Sequence, residues 1–243
     1  HSELTNKQNL CFISSSNFAV YQNAVQRYEH STRRCMKESI MSIKAGTQLD
    51  VISIGRSSVD LYGQQIGSKL EDISSFSKSV GGCPANIAIG TARLGLKSGL
   101  ITRVGNEQMG RFIREQSARE GVAVDGIITD KQRLTALVLL AVEEEGVSPM
   151  IFYRSDCADM ALNEEDIDEN FIKSSRSVLV SGTHFSKPNT EAAQRKAIRI
   201  ARENGGKVIF DIDYRPNLWG LAGHDAGFER YVASDHVSGK MKS

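Results

Sequence analysis

Apolar positions along the chain gather into short β-branched runs that alternate with stretches of helical spacing. LDVISIG, from Leu49 to Gly55, is an apolar run closed by glycine and reads as a buried strand. Glycine and polar residues then interrupt short extended pieces through DLYGQQIGSKLEDISSFSKSVGG. PANIAIGTARLG reads as a helix, with Pro84 in its first turn and Gly95 just past its end. Leu100 to Val104 is a second strand, and Met109, Phe112 and Ile113 share one face of a helix that Gly121 closes. LTALVLLAV and PMIFY flank the turn-like EEEGVS, which is a hairpin pattern. A short helix around Ile167 to Lys173 leads into the strand SVLVSG. NTEAAQRKAIRIARENGG then sets Ala193, Ala197, Ile200 and Ala201 near helical spacing, and KVIFDID is the next strand. The terminal FERYVASDHVSGKMKS looks helical.

Strands alternating with helices imply an α/β fold built on a parallel sheet with right-handed crossovers. The pieces at about 60–80 and 134–155 do not fit that alternation. They predict a small β element standing off the main sheet, near the carboxyl ends of its strands, where such proteins place ligands. Residues 1–48 hold no sustained period, and the apolar piece Leu10 to Val20 is broken by Ser14, Ser15 and Ser16, unlike a secretory signal. The chain opens on His1, so Met36 or Met41 is read as a start and residues 1–48 as an extension, disordered or not native.

Composition narrows the field of partners. With 40% hydrophobic and 24% charged residues, the chain has material for a core. Its 30 basic and 29 acidic residues leave a net charge of +1, which gives no reason to expect nucleic acid or an anionic membrane as partner. No apolar run reaches the roughly 20 residues of a spanning helix. Cys11, Cys35, Cys83 and Cys157 form no C-x-x-C pair, so reduced thiols in a cytoplasmic protein are expected rather than a metal site.

SVGGCPANIAIGT, Ser79 to Thr91, carries the most chemistry. Gly81 and Gly82 let the backbone approach a ligand without a Cβ in the way, and the Asn86 amide in the following turn can serve a hydroxyl as donor or acceptor. The residues alone leave this reading level with a plain tight turn into a helix.

The pattern G-G-x-x-x-N-x-A, on Gly81, Gly82, Asn86 and Ala88, resembles the amino-terminal signature of the PfkB, or ribokinase-like, carbohydrate kinases. ISIGRSSVDLYG looks like that family's first strand, with Asp60 where members hold sugar hydroxyls. ITRVGNEQMGRFIREQSAREGV resembles its G-x-D-x-x-G segment, with Asn106 in place of aspartate, and FDIDYRPNLW resembles its D-x-N-x-R stretch. The resemblance runs from about Leu49 onward. It implies a parallel-sheet sandwich with a small β lid, truncated at the C-terminus, and a homodimer through the lid. Within the family SIGRSSVDLYG, GGCPANIAIG and DIDYRPNLW look most like kinases of the sugar acid 5-dehydro-2-deoxygluconate, of inositol breakdown. Tyr153 and Arg154 then match a tyrosine–arginine pair facing the acid, and a planar guanidinium suits a carboxylate. Asp213 and Arg215 are second candidates. Asp211 is read as structural, His184 as a loop residue, Trp219 as packing, and Glu164, Glu165, Asp166 and Asp168 as a helix start.

The family's Gly-Ala-Gly-Asp segment supplies an anion hole and the catalytic base, and no G-A-G-D occurs in this sequence; nor does N-x-x-E or a Walker-type loop. No catalytic residue or metal ligand is therefore assigned. ATP and Mg²⁺ are expected of the parent enzyme, and the chain alone is expected not to turn over, since single groups of this kind are each worth about 10²–10⁴ in rate. A non-catalytic sugar-binding module and another PfkB sugar or nucleoside kinase are the alternative readings.

Overall fold

A computed structural model describes residues 48–142, 149–221 and 234–242. The extension expected over residues 1–48 falls, but for Gln48, outside them; so do the EEEGVS turn and the FERYVA part of the last helical-looking stretch.

The apolar runs form one parallel sheet of five strands. These are β1 (Val51–Ile54), β4 (Ser98–Gly105), β5 (Ile127–Asp130), β8 (Ser177–Ser181) and β9 (Lys207–Asp211), in the order β5-β4-β1-β8-β9. β1 lies in the middle, with Ile52 paired to Gly99 on one side and to Val178 on the other. β5 was not legible in the sequence: only Ile127 and Ile128 of its four residues are apolar, and Thr129 and Asp130 break the run.

Both faces of this sheet are covered, which is why its strands are continuous apolar runs. Helices α1 (Cys83–Arg93) and α2 (Gln108–Arg119) bring Ala85, Ala88, Ile89 and Ile113 against Leu100, Val104 and Ile127. On the other face, α3 (Glu169–Lys173) and α4 (Pro188–Glu203) bring Ile172, Ala193, Ala197 and Ile200 against Ile52, Ile101, Val178 and Val180. Successive residues Leu100 and Ile101 thus enter opposite cores, as a period of two requires. A last helix, α5, spans Asp235–Lys242.

The helix starts are held by side chains. Glu107 caps α2 by accepting from Gly110, and also accepts the Thr135 N–H at 3.0 Å. Asp168 caps α3, while Glu164–Asp166 of the acidic cluster make a separate 3₁₀ turn closed by Asn163.

A second, four-stranded sheet stands beside the first. It contains β2 (Ser58–Gly63), β3 (Phe76–Gly81), β6 (Ala136–Leu140) and β7 (Met150–Tyr153), in the order β3-β2-β6-β7. β6 and β7 pair antiparallel, as the hairpin pattern predicts, and β6 runs parallel to β2. Val59 and Val80 are buried with α1 and β4, so this sheet shares a core with the first. The parallel-sheet α/β architecture is the one expected. β9 is the outer strand of its sheet among the described residues, with Ile209 45% and Phe210 39% exposed.

Candidate functional site

The two sheets are joined by Gly55, Arg56 and Ser57, all buried, at the carboxyl end of β1. Pleating sets the first part of the site. Ser58 on β2 faces Gly81 on β3, so Asp60, two residues on, lies on the same face and diagonally across from Gly81. Its carboxylate accepts the Ser58 hydroxyl at 2.8 Å, and a Cβ at Gly81 would collide with it. Gly82 caps α1 with a φ of 89°, and a Cβ there would stand 2.6 Å from the Arg56 carbonyl oxygen. The glycine pair therefore serves both close approach and backbone conformation. Asn86, whose N–H donates to the Gly82 carbonyl at 2.9 Å, is exposed on the first turn.

A buried ion pair forms the floor. The Arg56 guanidinium donates through Nε and Nη2 to one oxygen of Asp213, and Ser181 and Thr183 also donate to that oxygen at 3.2 Å. Ser181 is itself fixed at the end of β8 by Gln194 of α4. Its N–H donates to the Gln194 amide oxygen and its carbonyl accepts from the amide nitrogen, both at 2.7 Å. Asp213 thus ties together the ends of β1, β8 and β9. With its carboxylate so engaged, it holds Arg56 in place. Asp211 accepts the Cys83 thiol at 2.6 Å and the Asp213 N–H at 3.3 Å, a structural role as expected.

Arg154 follows β7 and is completely enclosed, paired with Asp159. Its Nε and Nη1 and the Asp159 Oδ1 have no hydrogen-bond partner among the described residues. Burial pulls the Arg154 pKa down, opposed by Asp159. Asp60 feels both Arg154 and Arg56, yet burial prevails and raises its pKa above the ordinary carboxylate value. Tyr153, one residue before Arg154 on the strand, is 56% exposed and turned away from it. Arg215 is exposed, 3.4 Å from Asp213, and Trp219 packs against the core under α4. Asp60, Gly81, Gly82, Asn86, Arg154 and Asp213 are therefore linked around Arg56, with Arg215 exposed beside Asp213, whereas Tyr153 shares a row with Val59 and Leu137 on the face of its sheet opposite Asp60, contrary to the expectation.

The pattern of the pfkB family carbohydrate kinases matches residues 48–229, three quarters of the chain. The chain belongs to that family. Among curated proteins, it is 38% identical over 195 residues to the 5-dehydro-2-deoxygluconokinase of Halalkalibacterium halodurans; the match covers 79% of this chain and 59% of that protein. Among solved structures, a PfkB protein of Polaromonas sp. JS666 is 29% identical with a TM-score of 0.71, covering 80% of this chain and 62% of the other. An uncharacterized sugar kinase of Pyrococcus horikoshii in complex with ATP is 28% identical with a TM-score of 0.64, covering 70% and 55%. The chain spans between half and three fifths of the length of the curated relatives it matches.

PfkB kinases bind ATP, as the Pyrococcus complex illustrates. Three possible cation ligands come together among the described residues. They are Cys83, Asp211 and Asp213. Burial and the hydrogen bond to Asp211 push the Cys83 thiol's pKa far up, so it keeps its proton, and Asp213 is taken by Arg56. A protonated thiol beside an engaged carboxylate is a poor donor set for a cation that demands free oxygens.

Arg56 was not singled out from the sequence, and His184 was set aside as a loop residue; both are buried beside this region. Arg56 carries no local sign of burial, and only its pairing with Asp213, 157 positions on, reveals it. His184 lies in the 3₁₀ turn Gly182–Ser186 after β8 and is fully buried. No helix among the described residues is long and apolar enough to cross a membrane.

Proposed function

We propose that the whole protein is an ATP- and Mg²⁺-dependent kinase of a sugar acid, 5-dehydro-2-deoxygluconate of inositol breakdown, and that this chain carries its sugar-binding part. One observation carries the reading: Arg154 is buried with two unpaired guanidinium nitrogens and lies within electrostatic reach of Asp60. An enclosed guanidinium with unmet donors calls for a carboxylate, and Asp60 beside it takes sugar hydroxyls. Gly81 leaves room for the Asp60 carboxylate and Gly82 for the Arg56 backbone, and Asn86 offers its amide from the α1 side. Arg215 borders the same site, and Asp213 acts through Arg56. The 5-dehydro-2-deoxygluconokinase relatives supply the name of the acid. The free thiols Cys83 and Cys157 agree with a cytoplasmic setting.

Steady-state assays of the whole protein with ATP and Mg²⁺ test this. Preference for 5-dehydro-2-deoxygluconate over fructose, ribose and nucleosides supports it, and preference for a neutral sugar or nucleoside contradicts it. The 243-residue chain alone binds the acid without turnover; phosphorylation by it would contradict that part. A homodimer through the four-stranded sheet belongs to the same proposal, since β3 and β7 each leave an edge unpaired among the described residues. Sedimentation velocity tests it, a monomer at every concentration being the contrary result.

A further inference from the structure

His184 has a fixed backbone and an unsatisfied ring. Its carbonyl accepts the Thr190 hydroxyl, the preceding Thr183 hydroxyl donates to the Asp213 carbonyl, and Ser181 is clamped by Gln194. The backbone of the turn is therefore held on both sides of His184. The side chain is 0% exposed, and neither ring nitrogen has a partner among the described residues. Nδ1 stands over Gly55, 3.6 Å from where a Cβ would lie. Each buried hydrogen-bonding group left unmade costs about 1–3 kcal/mol, so a ring abandoned twice is an expensive feature unless something arrives to meet it.

What could arrive is set by the neighbours. Burial, then the charges of Arg154 and Arg56, hold the His184 pKa well below its ordinary value, so the ring is neutral. It then offers one donor and one acceptor. Arg154 adds unmet donors at Nε and Nη1, and Asp159 an unmet acceptor at Oδ1. A carboxylate on Arg154 leaves the imidazole to an oxygen that can both accept and donate, which is a hydroxyl, or only accept, which is a carbonyl. Both occur on the chain of a sugar acid.

We propose that His184 contacts the substrate, its imidazole taking a hydroxyl or carbonyl oxygen of the sugar chain beside the carboxylate held by Arg154. This rests on the sugar-acid reading above and adds a contact to it from the turn after β8. An ordered water bridging the same atoms is the competing occupant.

The test is calorimetry of the protein with 5-dehydro-2-deoxygluconate, for the wild type, His184→Phe and His184→Gln, together with ¹⁵N spectra of the wild-type imidazole during the titration. The inference expects His184→Phe to weaken binding about tenfold, His184→Gln to keep most of the affinity, and the His184 ring signals to move with bound ligand. If the wild type binds the acid while both variants bind equally well and the ring signals stay still, the imidazole meets water only; the inference falls and the kinase reading stands. Should His184→Phe fail to fold, the wild-type spectra decide alone. If the wild type binds no sugar acid, the kinase reading fails first and this contact with it.

Discussion

The carboxylate of Asp60 occupies the space where a side chain on Gly81 would begin, because pleating puts both on one face of neighbouring strands. The neighbouring Gly82 is a glycine for another reason: its φ is 89°, and the Arg56–Ser57 backbone crowds it. The two positions should therefore fail differently. Gly81→Ala displaces only the end of the Asp60 side chain, so sugar binding drops tenfold or more while Tm changes little. Gly82→Ala forces backbone apart in a strained conformation, at about 2–4 kcal/mol, read as a fall in Tm of several degrees. Thermal melts paired with calorimetry separate them, and equal behaviour of the two variants would contradict the geometry.

Asp60 sits where its charge is poorly solvated. Its raised pKa means that the surroundings disfavour the ionised form, despite Arg154 and Arg56. Asp60→Asn should then raise Tm by about 2 °C at pH 7 and weaken sugar binding at least tenfold, the loss expected for a charge-assisted hydrogen bond. A lower Tm would mean that the carboxylate serves the fold rather than the ligand.

Arg56 depends on Asp213. Asparagine tolerates the positive φ of 32° at position 213, so Asp213→Asn removes charge rather than conformation. Leaving a buried guanidinium without its counter-charge costs about 3–5 kcal/mol. Urea denaturation should show that loss, and Arg56→Met in the same chain should recover part of it. Additive losses in the double variant would sever the link.

His184 makes stability depend on pH. Its native pKa lies well below the ordinary 6.5, so between those values the unfolded chain binds more protons than the folded one. Stability from the neutral ring is therefore complete above about pH 6.5 and lost as pH falls below it. Tm of the wild type should fall from pH 7 to pH 5 more steeply than that of His184→Gln. Parallel curves would show that the ring is already protonated or accessible.

Much of the fold was legible because apolar runs and glycine stops report strands and helix ends directly. Asp60, the glycine pair and Asn86 were singled out from sequence because they sit within two short segments. Arg56 and His184 were not, since their settings depend on residues far along the chain: Arg56 pairs with Asp213 after β9, and His184 is enclosed near the charges of Arg154 and Arg56. β5 was missed because Ile127–Asp130 holds only two apolar residues before Thr129 and Asp130 break the run. Asp213 was expected to meet substrate, and sequence could not reveal that Arg56, Ser181 and Thr183 already hold it.

The account turns on whether the enclosed guanidinium of Arg154 receives a carboxylate. Calorimetry of the 243-residue chain with 5-dehydro-2-deoxygluconate and with fructose measures this, in the wild type and in an Arg154→Gln, Asp159→Asn variant that removes both charges together. The wild type should favour the acid at least tenfold, and the variant should lose that preference while still folded. Equal affinity of the wild type for the two ligands would contradict it.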